Sequence, residues 1–363
     1  MNHERGEERR CSTAERCATM TNTTEPNSSP GQPSVEPNAN DPASATHGGA
    51  RRLFRGGLRS WFSTLLLVAL VIVFTIATPQ FRTLDNGRVI LEQSVVLAVA
   101  AFGATYVIIA GSIDLSVGSA VGLTAVVTAM TVNQFGVPLG LLIALLLGAV
   151  IGVVNGAAFA FGRVPSFIVT LGTLTALRGV VLGITGGSPT VIEQTGFINA
   201  LNGRTFGLSH SVLVAVIVGV VAFVLLDRLA FGREIKAIGA GERVARLSGV
   251  RVNRAQLLMF VAAGVLAAVA GILLAARSRV GDPTQGIGLE LQVIAAVVIG
   301  GTPLTGGIGH IWGTAVGALT IGVLSNGLNI IGVEAYWQDI ITGLVLVVAV
   351  FLTIDRHKIG FIK

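Results

Sequence analysis

The sequence predicts an all-α integral membrane protein of about ten transmembrane helices, and three observations carry that prediction. Of 363 residues, 52% are hydrophobic and 12% charged, with a mean hydropathy of +0.76; soluble domains carry about 25% charged residues. Apolar runs of about 20 residues, the length that crosses a bilayer, recur from Trp61 almost to the C-terminus. The 47 glycines, set against 6% aromatic residues, suit close helix packing in lipid, where small residues let backbones approach.

Residues 1–50 are rich in Asn, Ser, Thr, Pro and Glu, and lack the large apolar side chains that would offset chain entropy. They are expected to form a disordered cytoplasmic tail. Cys11 and Cys17 lie there without further ligands nearby, so neither a zinc site nor a disulfide framework is expected, and no metal site elsewhere. No apolar run before Trp61 fits a secretory signal, so the first span is expected to be retained.

The transmembrane domain is placed at 51–363. Its spans are expected at 61–78, 89–110, 113–132, 139–161 and 166–185, then after a polar loop (186–211) at 212–230, 256–276, 287–301, 306–328 and 336–354. With this count, fourteen basic residues flanking the spans, not counting the arginines of the 1–50 tail, fall on the side of both termini and only Arg82, Arg88, Arg204, Arg277 and Arg279 on the other. Positive flanks stay in the cytoplasm, so both termini are expected inside. The net charge of +6 therefore reports topology, and no nucleic-acid partner is expected.

One long polar interruption, 231–255, carries Arg233, Lys236, Arg243, Arg246, Arg251 and Arg254 against Glu234 and Glu242. It is expected on the cytoplasmic side, with a short helix from Glu234 to Ser248 broken at Gly239-Ala240-Gly241. Such a surface helix suits a docking partner. Farther along, Gly148 to Gly156, ending in Asn155-Gly156, resembles Gly317 to Gly327, ending in Asn326-Gly327. The two spans run in opposite directions, as in an inverted repeat of spans 2–5 and 7–10; chance similarity between glycine-rich helices is the other reading.

At the junction of spans 2 and 3, Asp114 and Ser116 sit among glycines with Gly118 following. Asp114 is read either as a cap that satisfies amides opening a helix or as a charged coupling or proton-relay group. A second glycine-rich turn, with Gly301, Pro303, Gly306 and Gly307, is expected to reverse the chain tightly, Pro fixing one backbone angle and Gly relieving others. Glu92, Arg178 and Glu290 fall in or at the edge of spans, where charges face a bundle interior or water; a Glu92–Arg178 pair is one possibility. Glu334, Tyr336, Trp337 and Asp339 read as interfacial anchors or as substrate-facing groups. Asn155 and Asn326 read as hydrogen-bonding groups, across helices or to a hydroxyl-rich substrate.

A phosphate-binding P-loop needs Gly-Lys followed by Ser or Thr. Lys236 is followed by Ala, Lys358 by Ile, and Lys363 by nothing. HExxH, CxxC and GxSxG patterns do not occur either, so the chain reads as non-catalytic.

Taken together, Gly111-Ser-Ile-Asp-Leu-Ser-Val-Gly-Ser, Arg163-Val-Pro-Ser-Phe-Ile-Val-Thr-Leu-Gly-Thr, Leu182-Gly-Ile-Thr-Gly-Gly-Ser-Pro189, Phe231-Gly-Arg with Leu247-Ser-Gly, and Ala335-Tyr-Trp-Gln-Asp carry a family resemblance. The chain resembles the membrane permease subunits of ribose/xylose/arabinose/galactose-type bacterial ABC sugar importers. The resemblance implies a vitamin-B12-importer-like fold in the bacterial inner membrane, translocating a pentose or hexose and holding no cofactor itself. It implies a cytoplasmic ATP-binding-cassette ATPase, a periplasmic sugar-binding protein and a second permease subunit, in a homodimer or heterodimer. ATPase docking is carried to Arg233, Glu234, Ile238, Gly239, Glu242, Ala245, Leu247, Ser248 and Gly249. Arg243 and Val244 depart from the acidic and Ala positions usual in the family. Ser116, Asn155, Thr173 and Asn326 are the candidate pathway residues. Two other classes stay open: an ion-coupled secondary transporter using Asp114, Glu92 or Glu290, and a channel or scaffold.

Overall fold

The computed structural model describes residues 49–353. The expected tail before Gly49, both cysteines, and Arg356, Lys358 and Lys363 lie outside the described residues, as does the side chain of Asp339.

Helix α1 (Gly49–Ala77) ends in a 3-10 turn (Pro79–Arg82), and Thr83 opens α2 (Leu84–Ile109) by accepting from the amide of Asn86. After the 110–116 turn come α3 (Val117–Phe135), α4 (Val137–Ala160) and α5 (Ser166–Thr185). Gly136, at φ +80, separates α3 from α4, which opens with a proline in its first turn, where the missing N–H costs nothing. The expected polar loop is partly ordered as β1 (Thr190–Val191), α6 (Thr195–Asn202), β2 (Arg204–Thr205) and β3 (Leu208–Ser209). Then follow α7 (His210–Asp227), α8 (Ala230–Ala240), α9 (Glu242–Leu247), α10 (Val252–Ser278), β4 (Val280–Gly281), α11 (Leu289–Ile299), α12 (Ile311–Ile330) and α13 (Ala335–Thr353).

The all-α class holds, with short strand pairs confined to its connections. Two antiparallel pairs of two-residue strands occur, β1 with β4 and β2 with β3; these short pairs satisfy backbone groups in connections between helices, where no helix supplies partners. Among the described residues six helices (α2, α4, α5, α7, α10, α12) are long and apolar enough to cross a membrane. Helix α11, expected as a full span over 287–301, has 11 residues, roughly 16 Å at 1.5 Å per residue, about half the apolar thickness of a bilayer.

Helix α10 is the spine, packed against α2, α3 and α4. Gly148, Gly152 and Gly156 recur every fourth residue on α4, and added side chains there would meet Gly264, Ala268, Phe260 and Leu257 of α10. Gly264 reciprocates against Gly148 and Gly152. The glycine stripe is therefore a backbone-to-backbone contact of the small-residue kind. Farther up α10, Gly271 abuts Thr124 and Val121 of α3, and Gly103 of α2 lies against Ala263. In contrast, α5 buries only Ser166, Thr170 and Val181.

Candidate functional site

The basic interruption folds as two helices with a break at Gly241, and amphipathicity decides which residues face inward. Ile235, Ile238 and Ala245 are buried, whereas Val244 and Leu247 are 68% and 83% exposed. Lys236 pairs with Asp227 at 2.6 Å, pinning α8 to the end of α7. Gly239 lies against the carbonyl of Ile109 and the amide of Gly307, and that amide itself donates to Ile109 O at 2.8 Å. Helix α8 is thus seated directly on the end of α2 and the turn before α12.

Of the nine expected docking residues, Arg233, Glu242, Leu247, Ser248 and Gly249 are exposed, and Glu234 is half-buried. Ile238 and Ala245 turn inward and Gly239 packs on backbone, so these three seat the helices within the subunit. Ser248 and Gly249 have a local task. The amide of Val250 donates to Ala245 O and that of Gly249 to Arg246 O, with Gly249 at φ +86; this is the glycine-dependent stop of α9. On α9, Val244 and Leu247 are exposed along with Arg243 and the Glu242–Arg246 pair, and Arg233 is exposed on α8.

Behind this face lies a chain of buried polar groups. Asp114 Oδ1 accepts from the Ser116 amide at 2.8 Å and from its hydroxyl, donating, at 2.6 Å. Asn155 Nδ2 donates to Ser116 Oγ at 2.9 Å, and Thr173 Oγ1 donates to Asn155 Oδ1 at 2.6 Å. Asp114, Ser116 and Asn155 are 9%, 1% and 1% exposed. Two further bonds seat the turn on α5: the amide of Ile113 donates to Ser166 Oγ at 3.2 Å and that of Leu115 to Thr170 Oγ1 at 3.1 Å. Asp114 therefore holds the residue two positions on, Ser116, rather than amides deeper in α3. Three of the four expected pathway residues share this chain. Asn326, buried in α12, has no hydrogen bond joining it, and its Oδ1 has no partner among the described residues.

The sequence reading missed a second turn of the same form. Asp282 Oδ1 accepts from the Thr284 amide at 2.7 Å and from its hydroxyl at 2.6 Å. Those two bonds hold the Asp282 carboxyl below the ordinary carboxylate range. The signal was legible, because Asp-x-Ser/Thr-x-Gly occurs both at Asp114-Leu-Ser116-Val-Gly118 and at Asp282-Pro-Thr284-Gln-Gly286. The glycines of the two turns touch: a side chain on Gly286 would meet Gly118 O, and one on Gly118 would meet Gly286 O and the Glu290 carboxylate.

Arg178 reaches the second turn, donating to Gln285 O at 2.8 Å. It does not meet Glu92, which pairs with Arg204 at 3.5 Å. Sequence order carries no lateral position for a helix, and α6 with its following strands brings Arg204 over the start of α2. Glu92 and Arg204 line a cavity of about 280 Å³ with Asn202, Ser209, Arg277 and Arg279. Glu92 is 17 residues before Ile109 on α2, roughly 25 Å along the axis, so this cavity is far from α8. The expected glycine-rich reversal has Gly301, Gly306 and Gly307 at positive φ, with Pro303 O accepting from the amide of Gly306.

Residues 88–350 match the family described as "Branched-chain amino acid transport system / permease component". The chain is 41% identical to the ribose import permease protein RbsC of Escherichia coli (strain K12), over 86% of this chain and 98% of that relative. It is also 41% identical to the ribose import permease protein RbsC of Bacillus subtilis (strain 168), over 84% and 95%. Identity is 34% to the xylose transport system permease protein XylH of Escherichia coli (strain K12), over 85% and 94%. No solved structure matches. A match over most of the chain, joined to an all-helical apolar bundle, places this protein in the permease-component family of branched-chain amino acid type transport systems.

Proposed function

We propose that the chain is the pore-forming, non-catalytic subunit of an ATP-driven importer of ribose- or xylose-like sugars. The observation that carries this is the α8–α9 surface. Val244 and Leu247 point outward beside charged residues, while Ile235, Ile238 and Ala245 turn inward and Gly239 seats α8 on the end of α2 and the turn before α12. A rigidly seated helix pair with an exposed apolar centre suits a handle for a separate motor, and the chain lacks a P-loop of its own. The sugar class follows the relatives' names and their near full-length coverage.

In this reading both termini and α8–α9 are cytoplasmic and an ATP-binding-cassette ATPase grips Val244 and Leu247. A periplasmic sugar-binding protein meets the opposite end, at the cavity of Glu92, Arg204 and Arg277. About ten helices cross the membrane, α11 only in part, with an importer fold of the vitamin-B12 type. The matched Asp114 and Asp282 turns, each between a long helix and a following one, support an inverted repeat of α2–α5 and α10–α13. Two copies assemble around α5, whose Gly172, Gly179 and Gly183 have open space beside them and suit helix approach in lipid.

Sugar uptake is measured in cells carrying this chain, the binding protein and the ATPase. Uptake lost on inactivating the ATPase supports the proposal. Sugar uptake by this chain alone in liposomes, driven by a proton or sodium gradient, overturns it in favour of a secondary transporter.

A further inference from the structure

We propose that Thr173 is a specificity-determining residue that meets the sugar only as a hydrogen-bond acceptor, its polarity set by the buried chain ending at Asp114. The inference rests on the proposed reading that two copies assemble around α5, and it takes the sugar path to run between them. Each hydrogen's place follows from the one before. The Ser116 amide can only donate, so Asp114 Oδ1 is an acceptor, and it takes the Ser116 hydroxyl proton as well. With its own proton committed, Ser116 Oγ receives the Asn155 amide group. That fixes which way the Asn155 carboxamide faces, and its Oδ1 then takes the proton of Thr173. Nothing remains on Thr173 to donate; its oxygen keeps acceptor capacity.

Thr173 stands where that capacity is reachable. It is half-buried, between exposed Gly172 and half-buried Leu174, on a helix whose flank is otherwise uncovered. The next threonine along α5, Thr175, spends its proton on its own helix, donating to Gly172 O at 2.8 Å. A polyol presents hydroxyl donors in quantity, so a fixed acceptor suits a sugar. Asp114 is then a positioning residue, acting through Ser116 and Asn155.

The test compares wild type, Thr173→Val, Thr173→Ser and Thr175→Val in vesicles holding the complete transporter, with D-ribose as the probe. Ribose delivered and ATP hydrolysed are measured together, at equal membrane abundance. Thr173→Val is expected to lower ribose per ATP by roughly threefold to tenfold, the weight of one neutral hydrogen bond, with the ATPase rate unchanged. Thr173→Ser restores the ratio and Thr175→Val leaves it at the wild-type value. A merely structural role would lower transport and hydrolysis together, and Thr173→Val with an unchanged ratio, or no rescue by Ser, overturns the inference alone. Wild-type vesicles that carry no ribose at the expense of ATP overturn both it and the reading beneath it.

Discussion

Gly239 of α8 lies on the carbonyl oxygen of Ile109, at the last turn of α2, with no room for a side chain between them. The contact is backbone on backbone, so neither partner can yield by changing rotamer, and displacement of α8 is passed to α2 and the 110–116 turn. Gly239→Leu is expected to lift α8 at a cost of about 1–3 kcal/mol, typical of overpacking. Membrane insertion should persist while uptake per ATP hydrolysed falls; normal coupling in this variant would show that the seat is not used.

Val244 and Leu247 are exposed and Ala245 between them is buried, so one charge introduced at neighbouring positions should act in opposite ways. Leu247→Asp is expected to leave the fold intact and weaken capture of the ATPase by at least roughly tenfold, the scale of an interface anchor. Ala245→Asp should instead destabilise the subunit, since it buries an unpaired charge. Co-purification of the ATPase together with thermal stability of the isolated subunit separates the two; equal capture by wild type and Leu247→Asp would place docking elsewhere.

Asp114→Asn keeps an oxygen where Ser116 donates twice. Transport should therefore remain at a substantial fraction of wild type. Complete loss at normal membrane abundance would mean that the negative charge itself is used, as in a proton relay.

Asp282 gives a pH-dependent counterpart. Its carboxyl is depressed by the Thr284 hydroxyl and amide, so its contribution is fully present above the unfolded value of about 4 and is lost as pH falls through the lower folded value. Protection of the Thr284 amide, relative to its intrinsic exchange rate, should be insensitive to carboxylate titration between about pH 5 and 8 and fall in acid, and Asp282→Ala should be unprotected throughout. Slow exchange in Asp282→Ala would remove the carboxylate from the turn.

The sequence made the helical membrane class legible through composition and span-length apolar runs, and the break within the basic interruption through Gly239-Ala240-Gly241. The direction each helix faces was harder. Ile238 looks like a docking residue until α8 is known to lie on the end of α2, and Ala245 does until α9 is known to pack on α8 and α10. The bonds joining Asn155 to Ser116 and to Thr173 bridge 39 and 18 residues of sequence, and pairing at that range depends on how α3, α4 and α5 are laid side by side. Glu92 shows the same limit: its apolar surroundings mark it as unusual, but Arg204 reaches it only because α6 folds back. The repeated Asp-x-Ser/Thr-x-Gly pattern needed no structure to be seen, only a comparison of polar turns instead of apolar spans.

Helix α4 is fastened to α10 by interlocked backbones, but α5 is held by the hydroxyls of Ser166, Thr170 and Thr173, by Arg178 and by the buried Val181. Water competes for hydroxyl bonds and does not compete for glycine contacts. Wetting of the neighbouring space would loosen α5 while leaving α4 in place, and drying would refasten it. On that physical ground, hydration would weaken the attachment of α5 before that of α4.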